Sequence, residues 1–265
     1  MITNNMKHLL YTAAIFLMAA ACTNEEMEQA TTTEGKAEMQ FAVSTSECPV
    51  QITRATAIPE VETFTVHITG GTDVDITKTL EELQNERPLY LEAGENGTDY
   101  TVEAYSCDPD ELEVAVLDKP CFYAEKDTTL LPDETVVVSL VCSLQQFQVS
   151  FEPSENFLSA FRDDEKVDAQ GGTKFSLTVT DANNRSVSYK YADLNKSAFF
   201  KADQKSAYIK IHVTGTTIKG FPVDYTETIE PKDSLLVAKD HLIIGLDVKA
   251  AETKSFHLKA TKIEL

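Results

Sequence analysis

Residues 135–151 read TVVVSLVCSLQQFQVSF and carry the clearest structural signal in the chain. Up to Gln145, every second residue is apolar: Val136, Val138, Leu140, Cys142 and Leu144. After Gln146, the alternation resumes with Phe147, Val149 and Phe151. Because successive side chains of a β-strand point to opposite faces, this pattern predicts two half-buried strands joined at a bend.

The same alternation recurs on both sides of this stretch. It is present at residues 64–68, 175–179, 209–213 and 242–248. Only residues 75–85 and 155–164 have a helical pattern, and both runs are short. Gly, Pro, Asn and Asp separate the alternating runs, as is typical of short strands joined by turns. The sequence therefore predicts an all-β fold.

The two halves of the chain follow one plan. Residues 100–105 (YTVEAY), residues 122–127 (FYAEKD) and a Pro-Asp turn precede the apolar strand that contains Cys142. Residues 208–213 (YIKIHV), residues 221–225 (FPVDY) and a Pro-Lys pair precede the strand at 242–248. This order predicts two tandem β-sandwich domains, 38–145 and 146–265, with one further strand within 253–265. The alternative is that two β-rich halves share this order of elements by chance.

The N-terminus predicts export. Lys7 and His8 precede an apolar run at 9–21, which is too short to span a bilayer that needs about twenty residues. Residues 1–21 are therefore predicted to be a signal peptide. The segment ends Ala-Ala-Ala-Cys22, the pattern that a bacterial lipoprotein signal peptidase reads, so lipidation of Cys22 is predicted. A plain A-x-A cleavage site is the alternative.

The residues after Cys22 predict a tether. Residues 22–37 are polar and acidic and show no apolar period, which is typical of a disordered linker. Acyl chains on Cys22 would hold the protein on a membrane, because each buried methylene contributes about 0.8 kcal/mol. No later segment is apolar enough to span a bilayer. The predicted membrane contact is therefore the lipid anchor.

Composition excludes several functions. The net charge of −20 is spread through both halves, which disfavours nucleic acid as a partner. The chain has no tryptophan, so an aromatic platform would have to be built from tyrosine or phenylalanine. No GxSxG, HExxH, Walker or GxGxxG motif is present. We therefore expect a protein that is not an enzyme and that has no cofactor.

Four cysteines follow Cys22: Cys48, Cys107, Cys121 and Cys142. An exported protein can form disulfides, and a bridge between Cys107 and Cys121 would close a loop. Four cysteines allow three complete pairings, and Cys142 on an apolar strand could equally be a buried free thiol. The cysteines show no CxxC spacing and the histidines are scattered, which disfavours a metal site.

The mature chain resembles a lipoprotein group of unknown function from gut Bacteroidetes, related in general plan to the fimbrillin-like proteins. The resemblance rests on Cys22 and on residues 100–106 (YTVEAYS), 119–126 (KPCFYAEK) and 135–142 (TVVVSLVC), mainly in the first half. It implies two sandwiches of transthyretin- or immunoglobulin-like topology that build or anchor surface pili. The pair Glu25-Glu26 resembles the signal that sends such lipoproteins to the cell surface, with ordinary linker charge as the alternative.

The resemblance also implies modification sites. In fimbrillin-like pilins, a protease cuts after an arginine that follows the first strand and so frees a groove for a donated strand. Arg54 has a similar place after the predicted strand at 38–45, although an ordinary loop arginine would look the same. Thr128 in Asp-Thr-Thr and Ser234 in Asp-Ser-Leu resemble O-glycosylation acceptors of exported Bacteroidetes proteins.

These features predict a lipid-anchored structural or adhesive protein of the outer membrane, exposed at the cell surface. It could be a pilus-associated or anchor subunit, with other surface or pilus subunits or host ligands as partners. The alternative is a glycan- or nutrient-capture lipoprotein that works beside an outer-membrane transporter.

Overall fold

The computed structural model describes residues 35–46, 58–161, 175–231 and 235–248, together with the backbone of 256–263. Most of these residues lie in strands. The elements of the first half are β1 Lys36–Thr45, β2 Thr65–Gly70, β3 Val74–Thr79, α1 Leu80–Asn85, β4 Leu89–Glu92, β5 Thr98–Tyr105, β6 Ala115–Leu117, β7 Phe122–Leu130 and β8 Thr135–Leu144. Those of the second half are β9 Gln146–Pro153, α2 Glu155–Ala160, β10 Ser176–Asp181, β11 Ser186–Tyr189, β12 Ala198–Lys201, β13 Ile209–Thr216, β14 Pro222–Ile229, β15 His241–Val248 and β16 Phe256–Ile263.

The first half forms one sheet folded into two layers. Its strand order is β3-β2-β5-β7-β8-β1-β4, but β7 and β8 pair only where Phe122 meets Leu144 and Tyr123 meets Ser143. Beyond these two pairs, β7 and β8 diverge. The strands β3-β2-β5-β7 form a front layer, and the strands β8-β1-β4 form a back layer. Inward-facing residues of both layers share one apolar cluster, which includes Val66, Val102 and Met39.

The second half repeats this arrangement with separate sheets. One sheet has the order β11-β10-β13-β14, and the other has the order β16-β15-β9-β12-β6. In each half the first strand lies parallel to a late one, β1 to β8 and β9 to β15, whereas the other pairs are antiparallel. A second apolar cluster, including Phe151, Leu177 and Ile211, fills the space between the two sheets. The prediction of an all-β chain with sandwich-like domains is confirmed.

One strand pair is shared by the two cores. β6 belongs to the first half of the chain but pairs with β12, so that Val116 lies opposite Phe199. Phe199 and Val116 pack in the first core, while Phe200 and Leu117 pack on the second. The two apolar clusters divide near Gln145, except at β6 and β12. The predicted domain boundary at this residue stays a prediction. β1 begins at Lys36, so the last two residues of the predicted tether lie in a strand.

The predicted helix at 75–85 is wrong over its first half. Residues 74–79 form β3, because four of these six residues are β-branched and favour a strand. Thr79 then begins α1: its hydroxyl accepts a hydrogen bond from the Glu82 amide, and the Glu82 carboxylate accepts one from the Thr79 amide. Ser154 begins α2 in a similar way, through a bond from the Phe157 amide. Residues 162–164 of the second predicted helix lie outside the described residues.

Candidate functional site

The predicted site residues are only partly within the described structure. Cys22, Arg54 and Ser234 lie outside it, so these three remain predictions. Thr128 lies in β7, half-buried, and its glycosylation also remains a prediction. Cys107 and Cys121 form a disulfide with their Cα atoms 5.4 Å apart. Cys142 is a buried free thiol, and its burial raises the pKa to about 11, which leaves it protonated and unreactive.

The disulfide closes a long connection between β5 and β7. This connection, residues 106–121, is called the arm, and it carries β6 to the second half. At its base the Phe122 amide donates to Ser106 Oγ over 2.9 Å, and the Cys121 amide donates to the buried side chain of Gln146 over 2.8 Å. At its tip the Asp118 amide donates to the Ser197 carbonyl over 2.8 Å. The arm is therefore fixed both by the disulfide and by backbone pairing.

The outer side of the front layer is a broad polar surface. The side chains on this front face point away from the first core, because those of β2 and β5 alternate with buried residues and those of β3 and β7 lie opposite them in the sheet. They comprise five carboxylates, six threonines, a histidine and two tyrosines, and no lysine or arginine: Asp75, Asp99, Glu103, Glu125, Asp127, Thr65, Thr69, Thr77, Thr79, Thr101, Thr129, His67, Tyr105 and Tyr123. The front face is thus acidic and rich in hydrogen-bonding groups.

A hydrogen-bonded row crosses all four strands of the front face. His67 Nε2 lies 2.9 Å from Asp75 Oδ1, and its Nδ1 lies 2.9 Å from Glu103 Oε2. The other oxygen of Glu103 lies 2.8 Å from the hydroxyl of Tyr123, which also lies 2.6 Å from Glu125 Oε2. Two carboxylates beside one imidazole favour its protonated form. The hydrogen bond to Asp75 is accordingly the main cause of the raised pKa of His67.

This row has four hydrogen-bond contacts but only three protons to fill them. A protonated His67 supplies two protons and Tyr123 supplies one, yet the four contacts all end on carboxylate oxygens. Burial and the two glutamates raise the pKa of Tyr123, so its hydroxyl keeps its proton. That proton can serve Glu103 or Glu125 but not both. The carboxylate oxygen that is left without this proton can accept a hydrogen bond from a hydroxyl or a cationic group of a ligand.

A serine and a histidine also meet in the second half, but away from solvent. Ser150 Oγ lies 2.7 Å from His241 Nε2, the spacing of a nucleophile and its base. Both residues are fully buried, and His241 Nδ1 has no hydrogen-bond partner among the described residues. A catalytic serine must reach a substrate. This pair therefore stabilises the contact between β9 and β15 and does not form a hydrolytic site.

Burial of His241 predicts a pH-dependent stability. Burial lowers the pKa of His241 from 6.5 in the unfolded chain to about 4 in the folded protein. Between about pH 4 and pH 6.5 the folded state therefore binds fewer protons than the unfolded state. The free energy of unfolding is undiminished by this histidine above pH 6.5, and it falls by about 3 kcal/mol as the pH falls to about 4. Urea unfolding over this pH range measures the loss. His241→Gln, which can still bond Ser150, should show a shallower decline, and an unchanged decline would contradict this assignment.

The described residues contain no other cluster that suggests chemistry. Among them, no group of three or more His, Cys, Asp or Glu side chains could hold a metal ion. No helix in the described part of the chain is long and apolar enough to cross a membrane. The sequence contained His67, Glu103 and Tyr123 without any local sign that they meet. Their alternation within strands showed that they face outward, but the pairing of β2, β5 and β7 was needed to join them.

Comparison with solved structures gives neighbours of low similarity. A proposed cell adhesion protein of Bacteroides ovatus is 9% identical, with 87% of this chain and 96% of that one covered and a TM-score of 0.43. A proposed cell adhesion protein of Bacteroides uniformis is 10% identical, with 89% of this chain and 99% of that one covered and a TM-score of 0.42. A proposed polysaccharide-binding protein of Bacteroides thetaiotaomicron is 10% identical, with 80% of this chain and 92% of that one covered and a TM-score of 0.35.

Comparison of sequences identifies the family. No curated protein matches the chain. Residues 33–262 match the model of a domain of unknown function, DUF4493. The matched segment includes every described strand of both halves except the last residue of β16, so it spans the arm and both cores. The prediction of a family of unknown function is confirmed: the chain belongs to the DUF4493 family.

Proposed function

We propose that the protein is an adhesive protein, anchored by lipid at Cys22 and exposed on the outer membrane, that binds ligands through its front face. The front face carries this proposal, because it presents a fixed row of carboxylates, tyrosine and histidine across four paired strands. A surface held by sheet pairing needs little reordering on binding, which favours recognition.

The chemistry of the front face suggests its ligand. Five carboxylates on a face that carries no lysine or arginine side chain would repel an acidic ligand, so a neutral or basic ligand rich in hydrogen-bond donors fits best. Tyr105 and Tyr123 lie directly opposite each other at one end of this face and add apolar surface beside the glutamates. Host or bacterial surface molecules with exposed hydroxyl or amino groups have this chemistry.

Adherence measurements test the front face. Cells that display Glu103→Gln with Glu125→Gln are expected to lose most of their adherence to the surface that the parent cells bind, because a neutral amide is a weaker acceptor. Glu81→Gln with Glu95→Gln is the matched control: it makes the same change in charge at exposed sites off the front face, and it should leave adherence intact. Equal adherence of the two double variants would reject the front face as the binding surface.

Anchoring and exposure have their own test. Labelled palmitate should enter the parent protein and not Cys22→Ser, and protease added to intact cells should degrade the parent protein. Absence of label, or complete protection from protease, would contradict the lipid-anchored surface location. A role as pilus-associated or anchor subunit predicts that deletion alters surface fibres and that processing follows Arg54, which Arg54→Ala would abolish.

The second candidate function is capture of glycans or nutrients beside an outer-membrane transporter. The opposed pair Tyr105–Tyr123 beside Glu103 and Glu125 favours it, because sugars are bound by aromatic rings and carboxylates together. A glycan array separates the two functions. Micromolar binding of a defined glycan, lost in Tyr105→Ala, would support capture, whereas adherence without any glycan binding would support the adhesive role.

A further inference from the structure

One edge of β8 has almost no strand beside it. Along its other edge β8 pairs with β1 over the register from Glu38–Thr135 to Thr45–Cys142. On the free side, β7 reaches only Ser143 and Leu144. Among the described strands, none pairs with this side of β8 at residues 135–142. This stretch is called the β8 edge.

The corresponding edge in the second half is occupied. β15 has the place of β8, because each lies parallel to the first strand of its half. β16 pairs with the far side of β15 along the whole length of that strand, from His241–Ile263 to Val248–Phe256. The repeated architecture therefore has room for a strand at this position.

The backbone of the β8 edge is oriented to pair. The carbonyls of Glu134 and Cys142 accept hydrogen bonds from β1, from the amides of Glu38 and Ser46, each over 2.8 Å. Because the amide and carbonyl of one strand residue point to the same side and successive residues alternate, the even-numbered residues face β1. The amides and carbonyls of Val137, Ser139 and Val141 consequently face the open side.

The side chains of the β8 edge lack the features that usually prevent strand association. Exposed edge strands are commonly protected by charge, proline or a bulge. Residues 135–144, TVVVSLVCSL, contain no charged residue, no proline and no glycine. Val137 and Val141 are 52% and 60% exposed. The strand itself therefore brings no charged side chain to a contact between two copies of this chain, whose net charge is −20.

We propose that two copies of the chain associate through residues 137–141 of their β8 edges, as antiparallel strands related by a two-fold axis at Ser139. This register places Ser139 opposite Ser139 of the second copy, and Val137 opposite Val141 of the second copy. The residues that meet are those whose amides and carbonyls face the open side, so they can exchange backbone hydrogen bonds. Each exposed valine covers another, and the two back layers become one sheet, β4-β1-β8-β8-β1-β4.

The two-fold axis determines the assembly that should form. An isologous contact uses the same surface on both copies and closes at a dimer. Sedimentation velocity on the purified protein should show a monomer–dimer equilibrium that shifts with concentration. Hydrogen exchange at the amides of Val137, Ser139 and Val141 should slow as the dimer forms. A monomer at every concentration, or growth into larger oligomers, would overturn the proposal.

A pair of double variants tests the register. Val137→Lys with Val141→Lys places lysine opposite lysine in both symmetric positions and should weaken the dimer by about tenfold or more. Val137→Lys with Val141→Glu changes the same exposed positions but places lysine opposite glutamate, so it should still form a dimer. Because both positions are exposed, both variants should keep the circular dichroism of the parent. Equal dimerisation of the two variants would reject the register.

Discussion

Phe199→Ala is expected to lower the free energy of unfolding by about 3–5 kcal/mol, with its main effect in the half of the chain to which Phe199 does not belong. Phe199 is 1% exposed and packs in the first core, although β12 belongs to the second half. Removing its ring leaves a cavity between β12 and the first core. Guanidinium unfolding followed by circular dichroism measures the loss.

Hydrogen exchange locates the effect of this substitution. Phe199→Ala should speed exchange in β2 and β5, which line the first core. Phe200→Ala is the matched control, because the neighbouring Phe200 stacks on Phe147 in the second core with ring centroids 5.1 Å apart. It should speed exchange in β9 and β13 instead. If Phe199→Ala left exchange in β2 and β5 unchanged, the shared packing would be refuted.

Asp181→Ala should cost a similar amount, about 3–5 kcal/mol, because it removes the buried partner of the Arg185 guanidinium, which is itself only 10% exposed. Asp181 is fully buried at the end of β10, and it accepts hydrogen bonds from Arg185 Nε over 2.8 Å and from the Arg185 amide over 2.9 Å. The guanidinium also donates to the Lys201 carbonyl over 2.6 Å. The pair therefore connects the β10–β11 turn to the end of β12.

Asp203→Ala provides the control for this buried pair. Asp203 contacts the same guanidinium over 2.7 Å, but its carboxylate is 43% exposed. Loss of an exposed partner costs at most about 1 kcal/mol. Thermal unfolding of both variants gives the comparison. Losses of equal size would show that burial of Asp181 does not determine the strength of the interaction.

The strands were predictable because their signal is local. Alternation in 64–68, 175–179 and 242–248 depends only on which side chains face a core, and each of these segments is in or overlaps a strand. Thr77 and its β-branched neighbours show where local reading failed: the acidic and apolar spacing of 75–85 resembled a helix. The pairing of β2 with β3 stabilised a strand there instead.

The candidate site was not predictable, since it depends on register between distant residues. His67 and Glu103 are separated by 36 residues, and Glu103 and Tyr123 by 20. No local pattern aligns them. β6 was missed for a related reason: a strand of three residues shows no period, and its partner β12 follows about eighty residues later.

The arm limits how this family can be recombined or engineered. Its disulfide lies in the first half, while its strand completes a sheet of the second half. A crossover at Gln145 that exchanged second halves between relatives would join a new β12 to an old β6. Only pairs whose β6 and β12 had matching side chains would keep both cores filled. In chimeric proteins, the arm should therefore be exchanged together with the second half, as one module that is discontinuous in sequence.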